Sequence, residues 1–202
     1  MDLVAFDFDG TLTVRDSFTG FLEWRRGRAA YLAGLPKLAP ALAAYVVRRD
    51  RGALKSAAVR AYLKDLPRAA LEGEVEAYAE ACATRLFRPD ALAVWNAWGA
   101  RGATRLIVSA SPDVVVAPFA RRLGADELIA TTLAFDAQDR VAGAFATPNC
   151  RAAEKVVRLK ARFGEDVRLR AAYGDTSGDH EMLQLAEEKG YRVFTAEPRG
   201  LP

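Results

Sequence analysis

Strand-like runs at residues 3–9, 104–110, 127–135, 140–146, 167–174 and 191–196 alternate with helical patterns at 89–101, 112–123, 151–163 and 178–189. The alternation argues for a parallel, doubly wound α/β sheet whose helices form the crossovers. One interval breaks the pattern. Between the first run and residue 89 lie about seventy residues without a convincing strand, far too many for a single crossover. Ala, Leu and Arg dominate that interval, and Pro36, Pro40 and Pro67 divide it into several helices. The chain is therefore expected to carry an all-helical cap, residues 16–84, inserted into an α/β core made of residues 1–15 and 85–202.

The first strand carries an unusual burden. In LVAFDFDGTLT, residues 3–13, the apolar stretch Leu3 to Phe8 reads as a short buried strand that carries Asp7 inside its C-terminal half and Asp9 at its end. A carboxylate there is costly unless a cation or hydrogen-bond donors compensate it. Gly10 permits a tight turn in which backbone N–H groups approach an anion, and Thr11 adds a hydroxyl. The pattern points to a divalent-metal and phosphate site. A solvated Asx-turn at the end of a strand would look the same at this stage.

Composition narrows the class. The 202 residues are 51% hydrophobic, enough for a full core and against disorder. Cys82 and Cys150 cannot build a disulfide framework and fit a reducing compartment. The acidic, strand-like start is not expected to be a signal peptide, and no stretch reads as 18 or so uncharged apolar residues of a membrane span. Charge is uneven. Residues 21–70 hold eleven basic side chains against three acids, Glu23, Asp50 and Asp65, while the remainder is net acidic. A basic segment on an acidic body points to an anionic substrate or partner, or else to an Arg-rich solvated helical face. No recognised nucleic-acid motif occurs, so no nucleic-acid partner is expected.

Three further motifs fall where a doubly wound sheet would place a site. TRLIVSAS, residues 104–111, is an apolar strand ending at Ser109 and Ala110, where a hydroxyl and nearby N–H groups can bind phosphate oxygens. Ser109 reads equally well as a helix-start residue. Lys155 lies early in a helix, against the favourable dipole direction, as if held by something anionic; alone it reads as a solvated lysine. In AAYGDTSGDHEML, residues 171–183, Asp175 repeats the arrangement of a carboxylate at a strand end before a glycine turn, and Asp179 starts a helix, where it would also serve as an N-cap. Asp7, Asp9, Asp175 and Asp179 together supply the hard oxygen ligands that Mg²⁺ prefers. His180, the one histidine, reads as a surface or supporting residue, because a single histidine makes no zinc site.

DFDGT at 7–11, Ser109, Lys155 and GDTSGD at 174–179 resemble, in order and spacing, the four motifs of the haloacid dehalogenase superfamily. The resemblance covers the whole chain and implies a Rossmann-like core. The position of the cap is similar to that of the phosphoserine-phosphatase-like branch. NCRAAEKVVRL at 149–159 and GDTSGDHEML at 174–183 look most like bacterial hydrolases related to type C phosphatidylglycerophosphatases. The resemblance implies a phosphomonoesterase in which Asp7 attacks phosphorus and Asp9 is the general acid and base. It implies Mg²⁺ held by Asp7, the Asp9 carbonyl and Asp175, with Asp179 binding directly or through water. Gly10, Thr11, Ser109, Ala110 and Lys155 would bind the transferring phosphoryl group.

The cap departs from true phosphoserine phosphatases. Asp16 stands where that family has a glutamate for the substrate ammonium, and Arg60 is a candidate for the carboxylate-binding arginine. A small or lipid-headgroup phosphomonoester, phosphatidylglycerophosphate-like, is therefore the expected substrate, with phosphoserine or another soluble metabolite as the alternative. A phosphotransferase of the same mechanism and a non-catalytic anion- or membrane-binding module complete the readings. The expected location is cytoplasmic, with the basic cap and the apolar run 36–47, followed by Arg48, Arg49 and Arg51, able to meet the inner face of an anionic membrane.

Overall fold

A computed structural model describes residues 2–48 and 51–198 of the chain. Five parallel strands form the central sheet in the order β3-β2-β1-β6-β7, with β1 Leu3–Phe6, β2 Thr104–Pro112, β3 Glu127–Thr131, β6 Leu169–Gly174 and β7 Ala186–Tyr191. The first strand is central because it is apolar throughout, and all four of its residues are buried. From β1 the chain moves outward through β2 and β3. It then crosses back to place β6 on the other side of β1, which makes the carboxyl ends around β1 the switch point of the sheet.

Helices α6 Pro89–Ala100, α7 Asp113–Leu123, α8 Ala153–Phe163 and α9 His180–Gln184 make the crossovers. Pro89 opens α6, and Gly124 in the left-handed region closes α7. Among the described residues between β1 and α6, the named elements are all helical: α1 Ser17–Arg26, α2 Arg28–Gly34, a 3₁₀ turn Leu35–Leu38, α3 Ala39–Arg48, α4 Arg51–Tyr62 and α5 Arg68–Leu86. Val59, Leu71, Val75 and Tyr78 of these helices, with Leu63 just after α4, join Phe6, Phe8, Ile107 and Phe119 in one apolar cluster. A second cluster covers the other face of the sheet.

Several expected boundaries move. The run at 127–135 is two strands, because β4 Leu133–Phe135 leaves the sheet to pair antiparallel with β5 Val141–Phe145. That hairpin clasps the corner between α4 and α5: Asp65 N–H donates to Val141 O at 2.9 Å, and Arg68 N–H to Asp139 O at 2.9 Å. The last strand is Ala186–Tyr191 rather than 191–196, and α9 ends at Gln184 rather than 189. Ala-Glu-Glu-Lys is a helix-forming composition, but tertiary pairing with β6 overrides it on an edge strand, whose charged side chains face water. Gly190 permits the pairing, since a Cβ there would lie 2.2 Å from the Tyr173 ring.

Arg28–Val47 is one helical run of twenty residues that is long and apolar enough to cross a membrane by length and composition. Lys37 interrupts it, so it holds no uninterrupted uncharged stretch of that length. One such helix near the N-terminus does not make a membrane span. Arg49 and the side chains of Arg48 and Arg51, named with this run in the sequence, lie outside the described residues.

Candidate active site

The end of β1 builds the site. Strand pairing stops at Phe6, and Asp7 continues the ladder by one bond, its N–H donating to Tyr173 O at 2.9 Å. Its carboxylate is thereby delivered to the carboxyl edge of the sheet, buried beside the ends of β2 and β6. Gly10 turns the chain with φ +88°, and a Cβ there would sit 2.3 Å from Asp175 Oδ2, so only glycine lets the two loops approach this closely. Thr11, buried under the turn, directs Oγ1 to Asp175 Oδ1 at 3.3 Å and Asp7 Oδ2 at 3.5 Å.

Lys155 comes from the first turn of α8 and is 1% exposed. Its ammonium donates to Asp7 Oδ1 at 2.6 Å, Val108 O at 2.6 Å and Asp179 Oδ1 at 2.7 Å, which uses all three protons. It is therefore a buried structural cation, not a solvated lysine. Ala152, just before α8, adopts φ 55° and ψ −129°, a conformation that favours glycine. Its N–H donates to Gly178 O at 2.8 Å, tying the start of α8 to the loop that carries Asp179.

One ammonium faces two carboxylates, and the surplus charge is divided unequally. Asp179 Oδ2 accepts from the Thr176 N–H at 2.9 Å and the Thr176 hydroxyl at 3.0 Å, with the Asp175 N–H at 3.3 Å. Although burial opposes its charge, Lys155 and these donors hold its pKa below the ordinary carboxylate range. Asp7 has fewer donors. Burial, opposed by Lys155 but reinforced by Asp179 and Asp9, pushes its pKa up to about 7. Burial and the charge of Asp179 also raise Asp175.

Carboxylate oxygens of Asp7, Asp175 and Asp179 lie within 4.8 Å of one another. Three hard-oxygen donors with two under-compensated charges fit a divalent cation such as Mg²⁺. Asp179 already accepts four hydrogen bonds, against two at Asp7 and one at the Asp175 carboxylate, so Asp7 and Asp175 are the better placed ligands.

Asp9 lies across the cavity with a different set of partners. Its Oδ1 accepts from Ser17 N–H at 2.7 Å, and its Oδ2 accepts from the Ser111 hydroxyl. Ser111 Oγ in turn accepts from Lys55 Nζ at 3.1 Å, and the same ammonium reaches Ala110 O at 3.2 Å. Burial first, then the nearby Asp16, raises the pKa of Asp9.

The cavity, about 280 Å³, is lined by Asp7, Asp9, Gly10, Ser109, Ala110, Lys155, Asp175 and Asp179 among others. Every proposed metal and phosphate residue is thus brought to one place, with Thr11 behind the wall. Ser109 is buried and its Oγ accepts from Ser111 N–H at 3.0 Å. The cap residues divide. Asp16 lines the cavity but also caps α1, accepting from Thr19 N–H at 2.7 Å. Arg60 is exposed, packs near Gly143 of the β4–β5 hairpin and is not among the lining residues. Lys55, Arg15, Asn149, Arg151 and Thr176 line the cavity and were not singled out in the sequence. Lys55 was counted only as one of eleven basic residues, and its link to Asp9 through Ser111 joins segments too distant in sequence for any local pattern to reveal. His180 is exposed and packs on Tyr191.

The sequence pattern of the haloacid dehalogenase-like hydrolases matches residues 4–184. Protein CicA from two strains of Caulobacter vibrioides is 59% identical over 196 residues, covering 97% of this chain and 88% of the relative. Among solved structures, a protein of unknown function from Bordetella pertussis Tohama I is 23% identical with a TM-score of 0.75, covering 91% of this chain and 86% of that one. A phospho-aspartyl intermediate analogue of phosphoserine phosphatase is 22% identical with a TM-score of 0.64, covering 93% of this chain and 84% of that one. The chain belongs to the haloacid dehalogenase-like hydrolases.

Proposed function

We propose that this haloacid dehalogenase-like hydrolase cleaves phosphomonoesters through a covalent phosphate on Asp7. The observation that carries the reading is the pairing of two unlike carboxylates at one sheet edge. Asp7 is oriented by Lys155 beside Asp175, and Asp9 is held apart from that cluster by Ser17 and Ser111. An Asp7 oxygen attacks phosphorus as the bond to the alcohol oxygen breaks, and protonated Asp9 gives its proton to the leaving alkoxide. Asp9 then takes a proton from water, whose oxygen attacks phosphorus and releases Asp7 with inorganic phosphate. The raised pKa of Asp9 suits a group that must begin as an acid.

Lys155 keeps the Asp7 side chain aimed and offsets charge at the reacting centre. The Ser109 hydroxyl and the backbone at Gly10 and Ala110 face the phosphoryl oxygens. Asp7, Asp175 and the Asp9 carbonyl would hold Mg²⁺, with Asp179 reached through water. When bound, the ion supplies positive charge to the transferring group.

Two substrate classes are supported. A phosphatidylglycerophosphate-like headgroup suits the basic segment of residues 21–70, and the exposed side chains of Leu32, Leu42, Val46 and Val47 would let that segment rest on an anionic membrane face. A soluble metabolite such as phosphoserine suits the fold shared with phosphoserine phosphatases and the presence of one acid and one base, Asp16 and Lys55, at the cavity. Against it, Asp16 spends one oxygen capping α1, and Arg60 stands away from the cavity.

The test is turnover of p-nitrophenyl phosphate and of alkyl phosphates in Mg²⁺, with EDTA abolishing it. Asp9→Asn is expected to slow alkyl esters, whose leaving groups need a proton, far more than p-nitrophenyl phosphate. Equal losses for both would remove Asp9 as the acid.

A further inference from the structure

The catalytic cavity adjoins a second, half-open space of about 490 Å³ between α1, the run from α2 to α3, and α4. Its walls are apolar: Leu22, Tyr31, Leu35, Leu42, Leu54 and Ala58 are representative. Tyr62 turns its phenol tip onto the protein, donating to Tyr31 O at 2.8 Å. Among the described residues its charged lining side chains are Asp16 and Lys55, and both also line the catalytic cavity. The two spaces therefore meet at a polar mouth.

The mouth lies on the leaving-group side of the site. Asp9 accepts from the N–H of Ser17, the residue after Asp16, and is joined to Lys55 through Ser111. A phosphomonoester with its phosphorus at Asp7 and its bridging oxygen at Asp9 directs its alcohol toward Asp16 and Lys55, and anything longer continues into the apolar space. The helices around that space are poorly filled, since α2 and the 3₁₀ turn contribute no buried residue. An apolar ligand chain there would supply packing that the protein's own side chains do not.

We propose that this chamber binds the apolar chain of the leaving alcohol, so that the enzyme selects amphiphilic phosphomonoesters over small polar ones. The inference rests on the phosphatase reading above and goes beyond it by assigning the selecting surface to the cap interior. Selection then belongs to single substrate molecules and needs no membrane.

The experiment is a series of n-alkyl phosphates from ethyl to octyl, each kept monomeric in solution, hydrolysed by the intact protein in Mg²⁺. Each added methylene is expected to raise kcat/KM by roughly threefold to fourfold until the chamber is full, mainly through KM. A flat or falling series with the ethyl ester still hydrolysed overturns the chamber and leaves the phosphatase reading standing; no hydrolysis of any member overturns both. Ala58→Phe, which fills the chamber, is expected to lower the octyl-to-ethyl ratio by about tenfold or more, as several buried methylenes would require; an unchanged ratio contradicts the proposal. Should that variant not fold, competition on the wild-type protein decides instead: octylphosphonate is expected to inhibit far more tightly than ethylphosphonate, and equal inhibition overturns the assignment.

Discussion

Asp7 sits in a cluster whose charges do not balance, and that imbalance has a measurable consequence. Its folded-state pKa of about 7 lies above the ordinary value of 3.8, because burial and the carboxylates of Asp179 and Asp9 outweigh Lys155. The fold thus binds a proton at Asp7 more tightly than the unfolded chain does. That contribution is fully present below about pH 4 and is lost as pH rises through about 7. In chelator, the wild-type protein is expected to lose stability across this window, and Asp7→Asn to flatten the descent. Mg²⁺ is expected to restore the wild type most at the upper end. Thermal denaturation at a series of pH values checks this, and an unchanged slope in Asp7→Asn would contradict it. These residues were legible because their motifs set carboxylates at strand ends, where few structural roles tolerate them. Ser111 and Lys55 were not legible as partners of Asp9, because the hydrogen bonds that join them bring together the ends of β1 and β2 and a cap helix, all far apart in sequence.

Helix α8 shows how one backbone position can serve a whole element. Ala152 holds φ 55° and ψ −129° while its N–H reaches Gly178 O, and that contact sets α8 against the Asp179 loop so that Lys155 bridges them. Alanine in such a conformation costs on the order of 1–3 kcal/mol, and glycine avoids that cost while adding about 0.5–1 kcal/mol of unfolded-state entropy. Ala152→Gly is expected to stabilise the protein by roughly 0.5–2 kcal/mol, a rise in Tm of a few degrees for a chain of this size. A fall in Tm would show that the strain is not there. At this scale the sequence was legible where amphipathic pattern and burial agree, as in β1 and α7. It misled at β7, where Ala186–Lys189 has a helical composition and only pairing with β6 makes it a strand. The β4–β5 hairpin was seen as strands but not as a clasp on α4, since its bonds at Asp65 and Arg68 reach across the fold.

On the scale of the whole molecule, a basic helical segment lies over the acidic mouth of a sheet, and its Arg28–Val47 run is apolar and unburied. Val47 is 82% exposed. If this face rests on lipid, each basic residue near an anionic surface adds about 1 kcal/mol that salt removes. The protein is expected to co-sediment with phosphatidylglycerol vesicles at low ionic strength and to release in high salt. No binding at low ionic strength would leave the run as an exposed helix with no role at membranes. The chain's membership of its family was legible because four motifs in order constrain it heavily, whereas the apolar chamber depends on how several short helices surround space and has no linear signature. The central claim is the covalent phosphate on Asp7, and it is tested most directly by trapping it. The protein is mixed with p-nitrophenyl phosphate in Mg²⁺, quenched in acid, digested and analysed by mass spectrometry. The account predicts phosphate on the peptide that begins the chain, localised to Asp7, and neither adduct nor turnover in Asp7→Asn. Sustained turnover by Asp7→Asn, or an adduct on any other residue, would contradict it.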